Sequence, residues 1–286
     1  MASDDDIAKF HKDGYVVIKD FLTPHEVDSL KKGCHGIVTD MDPKDHTTTV
    51  FNCRNQQHTS NDYFLTSGDK IRFFFEKGAV NEEGELIVDK YKAINKIGHA
   101  LHELVPEFKK VTHNQNVQDV AKKLGYIKPV IVQSMYIFKQ PKFGGEVPSH
   151  MDASFLHTEP LRLTGFWIAL EKCTLENACL QFIPGSQHTE VQSRMIRNPD
   201  GGEPSLIFTG PRELDRDPSL FVPEEVEPGT CILLHGQVIH KSEENRLEKS
   251  RHIYTFHIAE SLDTEWSKGN WLQPTEEMPF PELYIS

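Results

Sequence analysis

The chain has 286 residues, a formal net charge of −12, 37% hydrophobic and 26% charged residues, ordinary values for a globular chain able to bury a substantial core. It contains no apolar run near the ~18 residues a helical membrane span needs. So acidic a surface argues against broad binding to a nucleic-acid backbone, although a local basic pocket for an anion remains compatible with it.

The opening MASDDDIAKF is acidic and lacks the apolar centre of a secretory signal, and the closing ELYIS is not a peroxisomal address, so a cytoplasmic location is expected. DGYVVIKDFL (13–22) reads as a short strand and turn. TPHEVDSLKKGCHGIVTDM (23–41) opens with Thr23, Pro24 and Glu26, the pattern of an N-cap, a first-turn proline and a capping-box glutamate. Val27, Leu30, Cys34 and Ile37 then recur on one helical face. Residues 42–62 are polar and aperiodic and read as a long functional or mobile connection. KIRFFFE (70–76) predicts a buried strand with Phe73, Phe74 and Phe75 in the core. YKAINKIGHALHELVPEF (91–108) predicts a helix with Ile94, Ile97, Leu101 and Leu104 on one side, and a further helix runs to about Leu124, where Gly125 stops it.

From Val130 the pattern changes. PVIVQSMYIFKQ, RLTGFWIALEKC, CLQFIPGS, TCILLHG and RHIYTFHIAE are short, β-rich segments separated by turn residues, the signature of a sandwich or jelly-roll barrel. RNPDGGEPSLIFTGPRELDRDPSLF (197–221) interrupts them, and the region from 195 to 220 is expected to shape an entrance. The chain is thus expected to be one α+β domain over 1–286, helical to about 128 and β from about 129, with a monomer as the default state. Five cysteines, Cys34, Cys53, Cys173, Cys179 and Cys231, form no close pair and read as reduced and structural.

EVPSHMDASF (146–155) places His150 and Asp152 two residues apart. An octahedral iron held on one face by two imidazoles and a carboxylate keeps three positions open, two for a chelating co-substrate and one for dioxygen. That chemistry needs a His-x-Asp pair, a distant histidine and a cation for the far end of the chelator. With 15 histidines, about one such triplet is expected by chance, and His11 with Asp13 is a second copy; it lies near the N-terminus, far from the β region, and reads as surface. In a strand, i and i+2 share a face, so His150 and Asp152 point together while Met151 points away. Two histidines, His235 and His240, bracket one turn as candidates for the third ligand. Beyond them Arg251 offers a planar fork for a carboxylate, and Ser242 offers a donor.

SMYIFKQPKFGGEVPSHMDASFL, LENACLQFIPGSQH and HGQVIHKSEENRLEKSRHIYTFH resemble the phytanoyl-CoA dioxygenase family, Fe(II)- and 2-oxoglutarate-dependent oxygenases on a double-stranded β-helix. The resemblance extends from FHKDGYVVIKDFL through DYFLTSGDKIRFFFEKG and INKIGHALHELVPEF to NWLQPTEEMPFPELY, nearly the whole chain. It implies His240 rather than His235 as the third ligand, because the family's distal histidine precedes a serine by two residues and an arginine by about ten. It also implies 2-oxoglutarate contacts at Lys96, Met135 and Trp167, which composition and periodicity do not single out. Met151 is a departure, since relatives often carry Gln between the two ligands.

The resemblance therefore implies a dioxygenase with His150, Asp152 and His240 on Fe(II), Arg251 on the far carboxylate of 2-oxoglutarate, dioxygen as co-substrate and ascorbate as a supporting reductant. It would convert 2-oxoglutarate to succinate and CO2 while hydroxylating a small organic substrate, with no nucleic-acid or membrane partner. Two rival readings use the same residues: a metal- or metabolite-binding sensor without turnover, and a zinc hydrolase.

Overall fold

The computed structural model describes residues 2–46, 50–51, 62–76, 78–81, 83–142 and 144–284. Cys53 and nearly all of the connection after His46 lie outside them. In chain order the elements are α1 (Asp4–Asp13), β1 (Tyr15–Ile18), α2 (Pro24–Asp40), β2 (Val50–Phe51), α3 (Asp62–Leu65), β3 (Ile71–Glu76), α4 (Lys90–Ala93), β4 (Ile94–His99), α5 (Leu101–Leu104), α6 (Pro106–Thr112) and α7 (Gln115–Lys123). Then follow β5 (Pro129–Ile137), β6 (Val147–His150), β7 (Thr158–Glu159), β8 (Leu163–Ala169), β9 (Leu180–Phe182), β10 (Met195–Arg197), β11 (Leu206–Phe208), β12 (Val222–Glu224), β13 (Cys231–His235), β14 (His240–Ser242), β15 (Ile253–Glu260) and β16 (Glu265–Trp266).

Local chemistry accounts for the helix ends. Thr23 accepts from the Glu26 amide while Glu26 reaches back to the Thr23 amide, and Pro24 fills the first turn. The buried stripe of α2 is Val27, Leu30, Cys34 and Val38; Ile37, expected there, is only partly buried. The acidic N-terminus forms α1, which the sequence reading passed over. Ser3 and Asp6 cap each other, and three aspartates occupy the first turn, where the positive end of the helix dipole favours them. Gly14, at φ +82°, ends it.

An eight-stranded sheet, ordered β1-β13-β8-β15-β5-β4-β3-β2, faces a four-stranded sheet ordered β12-β9-β14-β6. From β5 onward the chain alternates between them: β5, β8, β13 and β15 belong to the larger sheet, β6, β9, β12 and β14 to the smaller. The core is the jelly roll expected from the sequence. One face of the larger sheet, with Tyr136, Phe166, Tyr254 and Phe256, packs on residues of α2, α6 and α7 such as Leu30, Phe108 and Val120. Tyr15, Trp167, Ala169, Phe182, Ile232 and Ile253 form an apolar cluster that includes residues of both sheets. The four described cysteines are free thiols and buried. No helix among the described residues is long and apolar enough to cross a membrane.

Residues 91–108 do not form the predicted helix. Their centre is β4, paired with both β3 and β5, and Leu104 is 46% exposed. Buried on both faces, β4 shows no polar alternation; its Ile94 and Ile97 fall at helical spacing with Leu101, although only Leu101 lies on a helix, the short α5. The helix expected to reach Leu124 is two pieces, α6 and α7, and Gly125 at φ +78° follows the second. The part before residue 129 thus supplies β1, β2, β3 and β4 to the larger sheet as well as helices.

Glu76 ends β3 with its Oε1 buried and unpartnered. Burial raises its pKa to about 7, against the opposing hydrogen bond of Asn95 and charge of Lys139. The folded value lies above the ordinary one of 4.5, so its contribution is full below that value and is lost as pH rises through about 7. Glu76→Gln is expected to stabilise the protein near pH 8 by on the order of 3 kcal/mol and to have little effect near pH 4. Thermal melts of both proteins across this range check it; the same shift at both ends would contradict it.

Candidate metal centre

Antiparallel pairing of β6 with β14 sets His150 directly opposite His240, with ring centroids 4.2 Å apart. The chain stays extended through Met151, at φ −114° and ψ 139°, so alternation sends that side chain outward. Met151 is fully buried there, against Leu214 and Ile239. The strand itself ends at His150, whereas the sequence reading ran it through Asp152. Asp152 instead begins a 3-10 turn, and its carbonyl accepts from the Phe155 and Leu156 amides. The turn keeps the carboxylate on the imidazole side, with Oδ1 3.6 Å from His150 Nε2 and 3.7 Å from His240 Nε2.

Both imidazoles are held in the same way. His150 Nδ1 lies 2.9 Å from the Pro148 carbonyl and His240 Nδ1 3.0 Å from the Val238 carbonyl. A carbonyl only accepts, so each Nδ1 carries a proton and each Nε2, the nitrogen turned toward Asp152, is the one placed to offer a lone pair to a metal. Burial, followed by the neighbouring His150, lowers the His240 pKa to about 4, so this ring is neutral at ordinary pH. Burial opposes ionisation of Asp152, but the neighbouring His257 and His240 and the hydrogen bond from His257 outweigh it and hold the carboxyl well below its usual range. The three ligand atoms lie within 4.8 Å of one another. Neighbouring ligands on an octahedral ion with bonds of about 2.1 Å sit roughly 3 Å apart, so small side-chain movements close the set on a divalent ion.

The larger sheet faces this triad. Gly165 on β8 abuts both Asp152 and His257, and Trp167, two residues on, shares its face. Arg251, just before β15, places its guanidinium 5.2 Å from the Trp167 ring centroid. It is 3% exposed, and its Nε and Nη1 are buried without a hydrogen-bond partner among the described residues. Burial draws its pKa down, with Cys173, Cys179 and Glu171 pulling weakly the other way. Met135 and Ile137 remain partly exposed although β5 lies between β15 and β4, as residues lining a hollow do. Lys96 pairs across from Ile137, with its ammonium 5.6 Å from the Phe74 ring centroid. Ser242 is buried and gives its hydroxyl proton to the Ala178 carbonyl, so it presents lone pairs rather than the donor expected of it.

The structure thus brings His150, Asp152 and His240 together and sets Trp167 and Arg251 behind them. It leaves His235 elsewhere, packed near Phe10 with its pKa lowered to about 4 by burial and by His11 and His188. His11 and Asp13 lie on α1. Sequence reasoning missed His257, whose Nε2 is 3.0 Å from Asp152 Oδ2, and Gln133 beyond it. It also missed Gly165 and Thr255, the latter paired with Met135 and Trp167. Alternation outward from Arg251 through Thr255 to His257 was the available signal.

From 195 to 220 the chain contains the β10–β11 hairpin and a segment fastened to β6 through Ser149 and Leu214. Phe208 of the hairpin contacts Phe155, which in turn contacts His150.

The phytanoyl-CoA dioxygenase (PhyH) family profile matches residues 10–253. A Danio rerio protein named phytanoyl-CoA dioxygenase domain-containing protein 1 is 51% identical over 289 aligned positions, covering 99% of each chain. Among solved structures, the epimerase SnoN in complex with Fe3+, alpha ketoglutarate and nogalamycin RO superposes with a TM-score of 0.64 at 13% identity, covering 98% of each chain. EctD from S. alaskensis with 2-oxoglutarate and 5-hydroxyectoine gives 0.62 at 20% identity, over 98% of this chain and 82% of that one. At such identities the likeness is one of fold.

The two candidate histidines separate in a Co(II) titration. His240→Ala is expected to weaken binding by more than the roughly 10–100-fold that loss of an outer partner costs, and His235→Ala to leave it within about threefold. The reverse order would exclude this cluster.

Proposed function

The chain belongs to the phytanoyl-CoA dioxygenase family, and we propose on that premise that it is an Fe(II)- and 2-oxoglutarate-dependent oxygenase acting on a small organic substrate. One observation carries the proposal: a His–Asp–His ligand set lies against Gly165 of β8, and two residues on, the ring of Trp167 carries the buried guanidinium of Arg251, whose Nε and Nη1 have no partner among the described residues. A buried charge left this way is costly unless a ligand completes it, and a carboxylate matches its fork.

The residues divide the work. His150 and His240, each anchored through Nδ1, present Nε2 to the ion, and Asp152 supplies the negative charge. Arg251 receives the far carboxylate of 2-oxoglutarate, with Trp167 packed against its face and Met135, Lys96 and Thr255 walling the hollow. The apolar cluster of Phe182, Ile253 and Trp167, with Phe182 against the His240 ring, would limit water beside the site. Phe155 and Phe208 form an apolar wall beside His150, where the primary substrate would lie. A ferrous ion in such a site supplies the chemistry that couples conversion of 2-oxoglutarate and O2 to succinate and CO2 with insertion of one oxygen atom into a substrate C–H bond.

The test is succinate release from 2-oxoglutarate with Fe(II) and air. The parent protein is expected to form succinate and Asp152→Ala none above background. Arg251→Lys keeps a charge but loses the fork, so its KM for 2-oxoglutarate should rise about tenfold or more. Equal turnover by Asp152→Ala would overturn the proposal, and an unchanged KM would remove Arg251 from its assigned place.

A further inference from the structure

We infer that His257 is a positioning residue that fixes the Asp152 carboxylate so that it meets the metal through one oxygen only, an assignment that rests on the metal-centre reading above. The two oxygens of Asp152 have different surroundings. Oδ1 faces both His150 Nε2 and His240 Nε2, whereas Oδ2 lies 3.0 Å from His257 Nε2. The direction of this second contact follows from the neighbour on the other side of the ring. Gln133 Nε2 is 3.3 Å from His257 Nδ1, and an amide nitrogen only donates, so Nδ1 accepts. The ring proton is therefore on Nε2, where it is donated to Oδ2.

Three strands build this arrangement. His257 on β15 pairs with Gln133 on β5 and with Gly165 on β8. A Cβ at position 165 would stand 3.2 Å from His257 Nε2 and 3.4 Å from Asp152 Oδ2, so the glycine leaves the room in which the two side chains meet. The imidazole is 6% exposed, and little water competes for the bond. The chemical consequence concerns vacancies. A carboxylate free to turn can take a metal through both oxygens, which consumes a second coordination position. A chelating 2-oxo acid needs two positions and dioxygen a third. By engaging Oδ2, His257 leaves Oδ1 as the single ligand and sets its direction before any ion arrives.

The experiment compares two substitutions of nearly equal size, His257→Gln, which keeps an N–H donor, and His257→Met, which has none. Mn(II) alone is titrated under electron paramagnetic resonance without 2-oxoglutarate, and thermal melts of the metal-free proteins report their folding. His257→Met is expected to bind Mn(II) about 10–100-fold more weakly than the parent, and His257→Gln within about threefold of it. Parent-like or tighter binding by His257→Met would overturn the role. So would equal weakening in both variants with unchanged melting, because that pattern means the ring only fills space. His257→Phe, a ring without a donor, replaces His257→Met should the latter not fold. Failure of the parent to bind Mn(II) in an Asp152-dependent way would instead sink the metal-centre reading itself.

Discussion

Antiparallel pairing of β6 with β14 is the constraint from which the rest of the site follows. His150 and His240 are 90 positions apart in the sequence, and that register alone makes them cross-strand neighbours. The protein then solves the same orientation problem twice with the same device, a carbonyl two residues upstream of each ring taking the Nδ1 proton. Asp152 can be local because the chain needs only one extended residue, Met151, before the turn that presents the carboxylate. Shifting β14 by one residue would exchange His240 for Lys241 and send the imidazole to the opposite face.

The two sheets divide the chemistry between them. The smaller sheet and the turn after it hold the ligand set; the larger holds the cation, the aromatic face beneath it and the histidine that braces the carboxylate. The path of contact from Asp152 over Gly165 to Trp167 and Arg251 runs along one face of β8. Helices on the opposite face of the larger sheet bury Tyr254 and Phe256, neighbours of Thr255 that point away from the hollow. One strand thus serves two environments, and the period of two keeps them apart.

How much of this could be read in the sequence depended on how local each signal was. The α2 cap at Thr23 and Glu26 and the His150–Asp152 pair are short-range patterns, and both stand where spacing put them. The choice between His235 and His240 was not local, since both flank the same turn; family resemblance pointed to His240, and only the sheet register explains why. The stretch around β4 misled because a strand buried on both faces has no polar alternation and mimics a helical stripe. Gln133 and Gly165 were beyond reach for another reason: each matters through a residue on a neighbouring strand, and strand partners are invisible until the sheet is known; for His257 alternation gave the face but not its partner, Asp152.

Strand β15 is buried at every one of its positions and bonded to β5 on one side and β8 on the other. Its amides are released only when the middle of the larger sheet opens, so they belong among the slowest-exchanging in the molecule. Breathing of the β10–β11 hairpin, a two-stranded sheet tied on by the bridge of Ile196 to Asn270, need not disturb that strand. His257, which braces the carboxylate, is thereby built into the most persistent part of the fold, while the rim beside Phe208 lies on a separate two-stranded sheet.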